Sequence, residues 1–135
     1  MIFTVSRQQE AILADWKEID LETKVWHQPK KKYKNKKLDW DIPLCPTAIK
    51  ILKAQPSYAK QRGRIFPTLN GGEFYSGALP SMPDTLGFNA LAHGFRSTFR
   101  TWGQDQTKSK TDITQKYSEE ALELYMNHVE TAAAR

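Results

Sequence analysis

The sequence predicts an α+β fold, mainly α, with one small antiparallel β-sheet. Apolar residues return at the helical period in several stretches, most clearly after Ser6, after Pro46, around Phe95 and after Tyr117. Leu38-Asp39-Trp40-Asp41-Ile42 alternates apolar with polar, as a half-buried strand does, and Lys24-Val25-Trp26-His27 reads as a partner strand. The two are separated by a lysine-rich stretch, which makes the pair a β-hairpin with a positively charged tip.

The chain has 135 residues, enough for one domain with a real core. Hydrophobic residues at 39%, aromatic at 11% and charged at 26% are the balance of a soluble globular protein. Its apolar runs are too short to span a membrane, and Met1 to Arg7 has no secretory leader pattern. The single cysteine, Cys45, excludes an internal disulfide and fits a reducing, cytoplasmic setting. His27, His93 and His128 are far apart and no Cys/His cluster has zinc spacing, so no metal is expected. A net charge of +5 favours polyanionic partners, nucleic acid above all.

In chain order, Phe3 to Val5 is a short apolar segment, and Ser6 with Gln9 has the form of a capping box, so a helix is expected from about Arg7. Ala11, Ile12 and Trp16 give it a buried stripe, while Arg7 and Glu10 are spaced to touch. In the hairpin, Lys30, Lys31, Lys32, Lys34, Lys36 and Lys37 crowd into one run. Such a run is either a solubilising loop or a contact for a phosphate backbone, and its density favours the backbone. Pro46 suits the first turn of a helix through Ile49, Ile51, Leu52 and Lys53 that ends before Pro56. Arg64-Ile65-Phe66-Pro67 reads as extended, Asn70-Gly71-Gly72 as a turn, and Thr85 to Leu91 as a short helical piece. Residues 103–116 are polar and read as a loop, and Tyr117 to Val129 as a last amphipathic helix carrying His128.

The most informative stretch is His93-Gly94-Phe95-Arg96-Ser97-Thr98-Phe99-Arg100-Thr101-Trp102. On a helix, Phe95, Phe99 and Trp102 share one arc, expected to bury against a core, while His93, Arg96 and Arg100 share the opposite arc. An imidazole beside a guanidinium, with orphan N–H groups at the helix start, suits a phosphate. The plainer reading is an amphipathic helix with a solvated basic face.

Taken in order, Arg7-x-x-Glu10, the lysine hairpin, Ile42-Pro43-Leu44, Ile65-Phe66-Pro67, His93-Gly94-Phe95-Arg96 and the late His128 resemble the catalytic domain of a tyrosine site-specific recombinase. Trp16-Lys17-Glu18-Ile19-Asp20-Leu21, then Val25-Trp26, and His93 to Arg100 resemble the phage and prophage integrases in particular, and the resemblance runs over nearly all of the chain.

The resemblance implies a metal-free and cofactor-free cleavage of DNA through a 3′-phosphotyrosyl bond. Arg7 and Arg96 would hold the non-bridging phosphate oxygens, His93 and His128 would position the phosphate or exchange a proton, and Lys34 or Lys36 would protonate the leaving 5′-oxygen. The lysine run and Arg100 would bind the DNA backbone. The family acts on double-stranded attachment sites as a tetramer, and in bacteria this places the chain at the nucleoid. The five tyrosines, Tyr33, Tyr58, Tyr75, Tyr117 and Tyr125, all precede His128, whereas the family's nucleophile follows it. Residues 1–135 are therefore expected to be a partial catalytic domain, without the core-binding domain or the nucleophilic segment, inactive alone and monomeric or weakly associating. The same residues also fit a non-catalytic nucleic-acid-binding module or a decayed prophage remnant.

Overall fold

The computed structural model of the chain describes residues 2–32, 38–70, 72, 85–87, 94–106 and 116–126. After a 3-10 turn at Ile2–Thr4, helix α1 covers Gln8–Leu13, with Arg7 extended at its N-cap. The Ser6/Gln9 box does not form. Glu10 takes that role, its carboxylate accepting the Arg7 backbone N–H at 2.7 Å, while Ser6 Oγ shares a 2.9 Å hydrogen bond with Thr4. A carboxylate near a helix start is favoured by the dipole as well as by the hydrogen bond, which an amide is not.

The chain leaves α1 at Ala14 and enters a second 3-10 turn, Trp16–Glu18. Trp16 is buried as expected, but from this turn and not from the helix. Three antiparallel strands follow in the order β1-β2-β3: β1 Ile19–Asp20, β2 Val25–Gln28 and β3 Trp40–Pro43. The hairpin expected between the two lysine-flanking segments is present, each strand displaced toward its C-terminus. Strand β1 is too short to carry a period and was not foreseen. The register sets Trp26 beside Ile42 on the buried face and His27 beside Asp41 on the exposed face, where Nδ1 and Oδ1 are 2.7 Å apart. Lys24, at φ 58, turns the chain into β2.

Helix α2, Pro46–Lys53, has Pro46 in its first turn, where the missing N–H is no loss. It turns Ala48 and Leu52 inward. These meet Trp16, Trp26, Ile42, Leu44, Ala14 and Ile65 in one apolar core. The rim of that core is closed by polar bonds. Trp16 Nε1 donates to Ser57 Oγ at 3.0 Å, and that hydroxyl donates to the Ile65 carbonyl at 2.6 Å. Arg64 and Asp15 form an isolated bridge, so the expected extended piece is seen at Arg64 while Ile65 and Phe66 bend away, and Arg64 Nη1 donates to the Leu13 carbonyl at 2.6 Å.

Helix α3 is Gly94–Asp105 and helix α4 is Glu119–Tyr125. Helix α3 thus runs past Trp102, and Ser118 caps α4 by accepting the Ala121 N–H at 3.1 Å. The expected turn near Asn70 is seen at Leu69–Asn70, with the Thr68 N–H on the Gly72 carbonyl at 3.0 Å. Most of the expected helical piece from Thr85 to Leu91, and the end of the expected Tyr117–Val129 helix, lie outside the described residues. Among the described residues no helix is long and apolar enough to cross a membrane.

Candidate functional site

Helix α3 is not oriented as its aromatic stripe suggested. Arg96 and Gly103, two turns apart on one face, are its buried residues, and Trp102 is 48% exposed. The cause is Gly103. Without a side chain it lets α4 approach so closely that a Cβ there would lie 2.9 Å from Leu122 Cδ1. The face carrying Gly103 therefore becomes the inner face, and Arg96 is carried inward with it. The aromatics flank that face: Phe99 stacks on Tyr125 at 5.3 Å between centroids, and Trp102 lies 5.9 Å from Tyr117.

Arg96 is 5% exposed. Its Nη1 donates to the Val5 carbonyl, 91 positions away, and its Nη2 to the Met126 carbonyl at 2.5 Å. The guanidinium thereby ties the turn before α1 to the C-terminal end of α4, where helix carbonyls favour a cation. Val5 has φ 50, and a β-branched residue there costs about 1–2 kcal/mol. Arg96 helps to hold that conformation by binding the carbonyl it presents.

Two residues beyond Val5 stands Arg7, whose side chain is 41% exposed. Its Nη1 lies 3.3 Å from Glu10 Oε1, and the Glu10 side chain is 6% exposed. Burial, and next the Arg7 charge, push the Arg96 guanidinium below its ordinary range, while Glu10 and Glu123 act the other way. Arg7, Glu10, Arg96 and Glu123 thus form one electrostatic cluster: an outer and an inner guanidinium, with carboxylates offsetting their repulsion.

Arg100 is oriented differently from the expected backbone contact. Its Nη2 pairs with Glu119 and its Nε lies 3.0 Å from Glu123 Oε1, so it joins α3 to α4. A phosphate there would have to displace two carboxylates. Of the lysines, Lys30, Lys31 and Lys32 form a 3-10 turn after β2. Lys30 and Lys31 are exposed, whereas Lys32 turns inward to Glu18. Lys34, Lys36, Lys37, His93 and His128 lie outside the described residues. Among the described residues no group of three or more His, Cys, Asp or Glu is placed to hold a metal ion.

Sequence reasoning missed three of these features: the Glu18–Lys32 pair, the carbonyls that bind Arg96, and Glu123 as part of the cluster. No local pattern in the sequence signals any of the three, and Gly103, read from the sequence as the start of a loop, gave no sign of its place in α3.

A mainly helical chain with a small three-stranded antiparallel sheet is the fold of a tyrosine-recombinase domain. The crystal structure of XerA recombinase superposes on it with a TM-score of 0.55 at 19% identity, over 96% of this chain and 54% of that one. The chain thus spans about half the length of that structure. No protein-family model matches the sequence, and no curated protein does.

Proposed function

We propose that this chain is the phosphate-gripping part of a phage-type integrase catalytic domain, acting in site-specific recombination of double-stranded DNA. The observation that supports the reading is that Arg96 binds the Val5 carbonyl, two residues before Arg7, while buried Glu10 pairs with Arg7. Arg7 reaches one non-bridging oxygen of the scissile phosphate, and Arg96 stabilises the developing negative charge from beneath. His93 and His128 position the phosphate or exchange a proton. Lys34 or Lys36 delivers a proton to the 5′-oxygen as its bond to phosphorus breaks and the bond to a tyrosine oxygen forms. We assign residues 1–135 the grip on the phosphate. Lys30 and Lys31 face the DNA backbone, and the complex assembles as a tetramer on attachment sites.

Fluorescence anisotropy with a short duplex tests this through Arg7, which is the more exposed of the pair. Losing a charge-assisted phosphate contact of about 1.5–3 kcal/mol lowers affinity by at least about tenfold in Arg7→Ala. Orthovanadate, a mimic of the trigonal phosphorane, competes with the duplex for the wild type and not for Arg7→Ala.

A second reading is favoured by the two main-chain carbonyls that Arg96 binds: the arginine is structural and the chain is a non-catalytic DNA-binding module. On that reading Arg7→Ala binds as the wild type does, and affinity falls only when exposed lysines are neutralised.

A further inference from the structure

We propose that Glu18 is a positioning residue for the lysine segment: it holds Lys32 inside the fold, so that Lys30 and Lys31, and not Lys32, meet the DNA. This rests on the function proposed above and assigns roles within it.

Three consecutive residues on a 3-10 turn point in three directions, because the turn has three residues per revolution. The three lysines of Lys30–Lys32 therefore cannot share one face. Lys32 is the inward one: its Nζ pairs with Glu18 Oε1, with the side chains 19% and 3% exposed. The other carboxylate oxygen, Oε2, accepts the Trp26 indole N–H at 3.2 Å and the Asp15 N–H at 3.4 Å. A second brace crosses the hairpin, from the Lys30 backbone N–H to Asp39 Oδ1 at 2.8 Å.

The carboxylate thus joins the turn before β1, the indole at the centre of the sheet and the first lysines after β2. Withdrawing Lys32 toward a phosphate would leave a buried carboxylate without that ammonium beside Trp26. One solvent-exposed phosphate contact does not offset such a loss. Lys30 and Lys31 have no comparable inward tether for their ammonium groups among the described contacts, and both are exposed.

The salt dependence of duplex binding separates these roles, because each phosphate contact contributes about 0.9 to the slope of log K against log salt. Lys30→Gln and Lys31→Gln each flatten the slope by about that amount, and Lys32→Gln leaves it at the wild-type value. Glu18→Gln releases Lys32 and steepens the slope by up to about 0.9. Flattening by Lys32→Gln equal to that of Lys30→Gln would overturn the assignment.

The indole N–H resonance of Trp26 gives a readout without DNA. It moves in Lys32→Gln, returns toward its wild-type position in Lys32→Arg, and stays in place in Lys30→Gln. An unmoved resonance in Lys32→Gln refutes the pairing even if DNA binds. A wild type with no duplex affinity refutes the proposed function instead, while the resonance still decides whether Glu18 holds Lys32.

Discussion

The sheet region and the α3–α4 region are held together by different forces. Around the sheet, eight buried apolar residues share one core, with the Trp16 and Trp26 indoles satisfied at its edge by Ser57 and Glu18. In α3 and α4 and the turns flanking them, Leu122 and Met126 are the buried apolar side chains among the described residues. There the fastening is done by two arginines, Arg96 on main-chain carbonyls and Arg100 on carboxylates. Apolar burial is non-directional and sets no particular orientation for a side chain. Guanidinium bonds are directional, and they fix cations in place. The candidate site lies where the regions meet, taking Arg7 from one and Arg96 from the other. The phosphate site proposed above would gain from that division, because one side supplies rigidity and the other supplies positioned charge.

The sharpest way to break this comparison is a pair of tryptophan truncations read by urea denaturation. Trp26 is 4% exposed, so Trp26→Ala should cost about 3–5 kcal/mol and also remove a donor from Glu18. Trp102 is 48% exposed and rests on other half-exposed rings, so Trp102→Ala should cost about 1 kcal/mol or less. Equal losses would mean that α3 and α4 rest on an apolar core as the sheet does.

The next largest effect is expected at the α3–α4 contact. A methyl group at position 103 meets the Leu122 side chain, which is itself 4% exposed and has little room to turn. Gly103→Ala should therefore destabilise by about 1–3 kcal/mol, although alanine is the better helix former. In a Leu122→Ala background the sign should reverse, with Gly103→Ala stabilising by up to about 1 kcal/mol. A double-mutant cycle without that reversal would show that Gly103 does not set the approach of α4.

Much of the sheet region was legible in the sequence because its signals are local. Alternation around Trp40, Pro46 at a helix start and the lysine run between two strands each need only neighbouring residues. The orientation of α3 was not legible. A helical wheel gives the angle between Phe99 and Arg96, but not the side from which α4 arrives, and Gly103 decides that. The Ser6/Gln9 box gave way to Glu10, whose charge a pattern of residue types does not weigh. Any link between Arg96 and the start of α1 was expected only from the resemblance in motif order, since nothing local says that Arg96 will bind the Val5 carbonyl. Lys32 looked like its neighbours because the carboxylate that claims it lies on another strand connection.

The smallest effect expected, and the most specific to the arginine-fastened region, is on the pH dependence of stability. The hydrogen bond from Arg100, followed by that from Gln104, holds the Glu119 carboxyl below its ordinary range. The unfolded chain binds that proton more readily than the folded one. The contribution of Glu119 is therefore fully present above the ordinary carboxylate range and is lost as pH falls through the depressed folded value. Thermal melts from neutral pH to about pH 3 should show a shallower acid decline in Glu119→Gln than in the wild type. Arg100→Gln should reproduce most of that change, and the double variant should add little, because both remove the same bond. The pair is solvent-exposed, so added salt should shrink the difference. If Arg100→Gln leaves the acid limb unaltered, Arg100 is not committed to α4. Its guanidinium is then available to a phosphate, and Arg96 alone fastens α3.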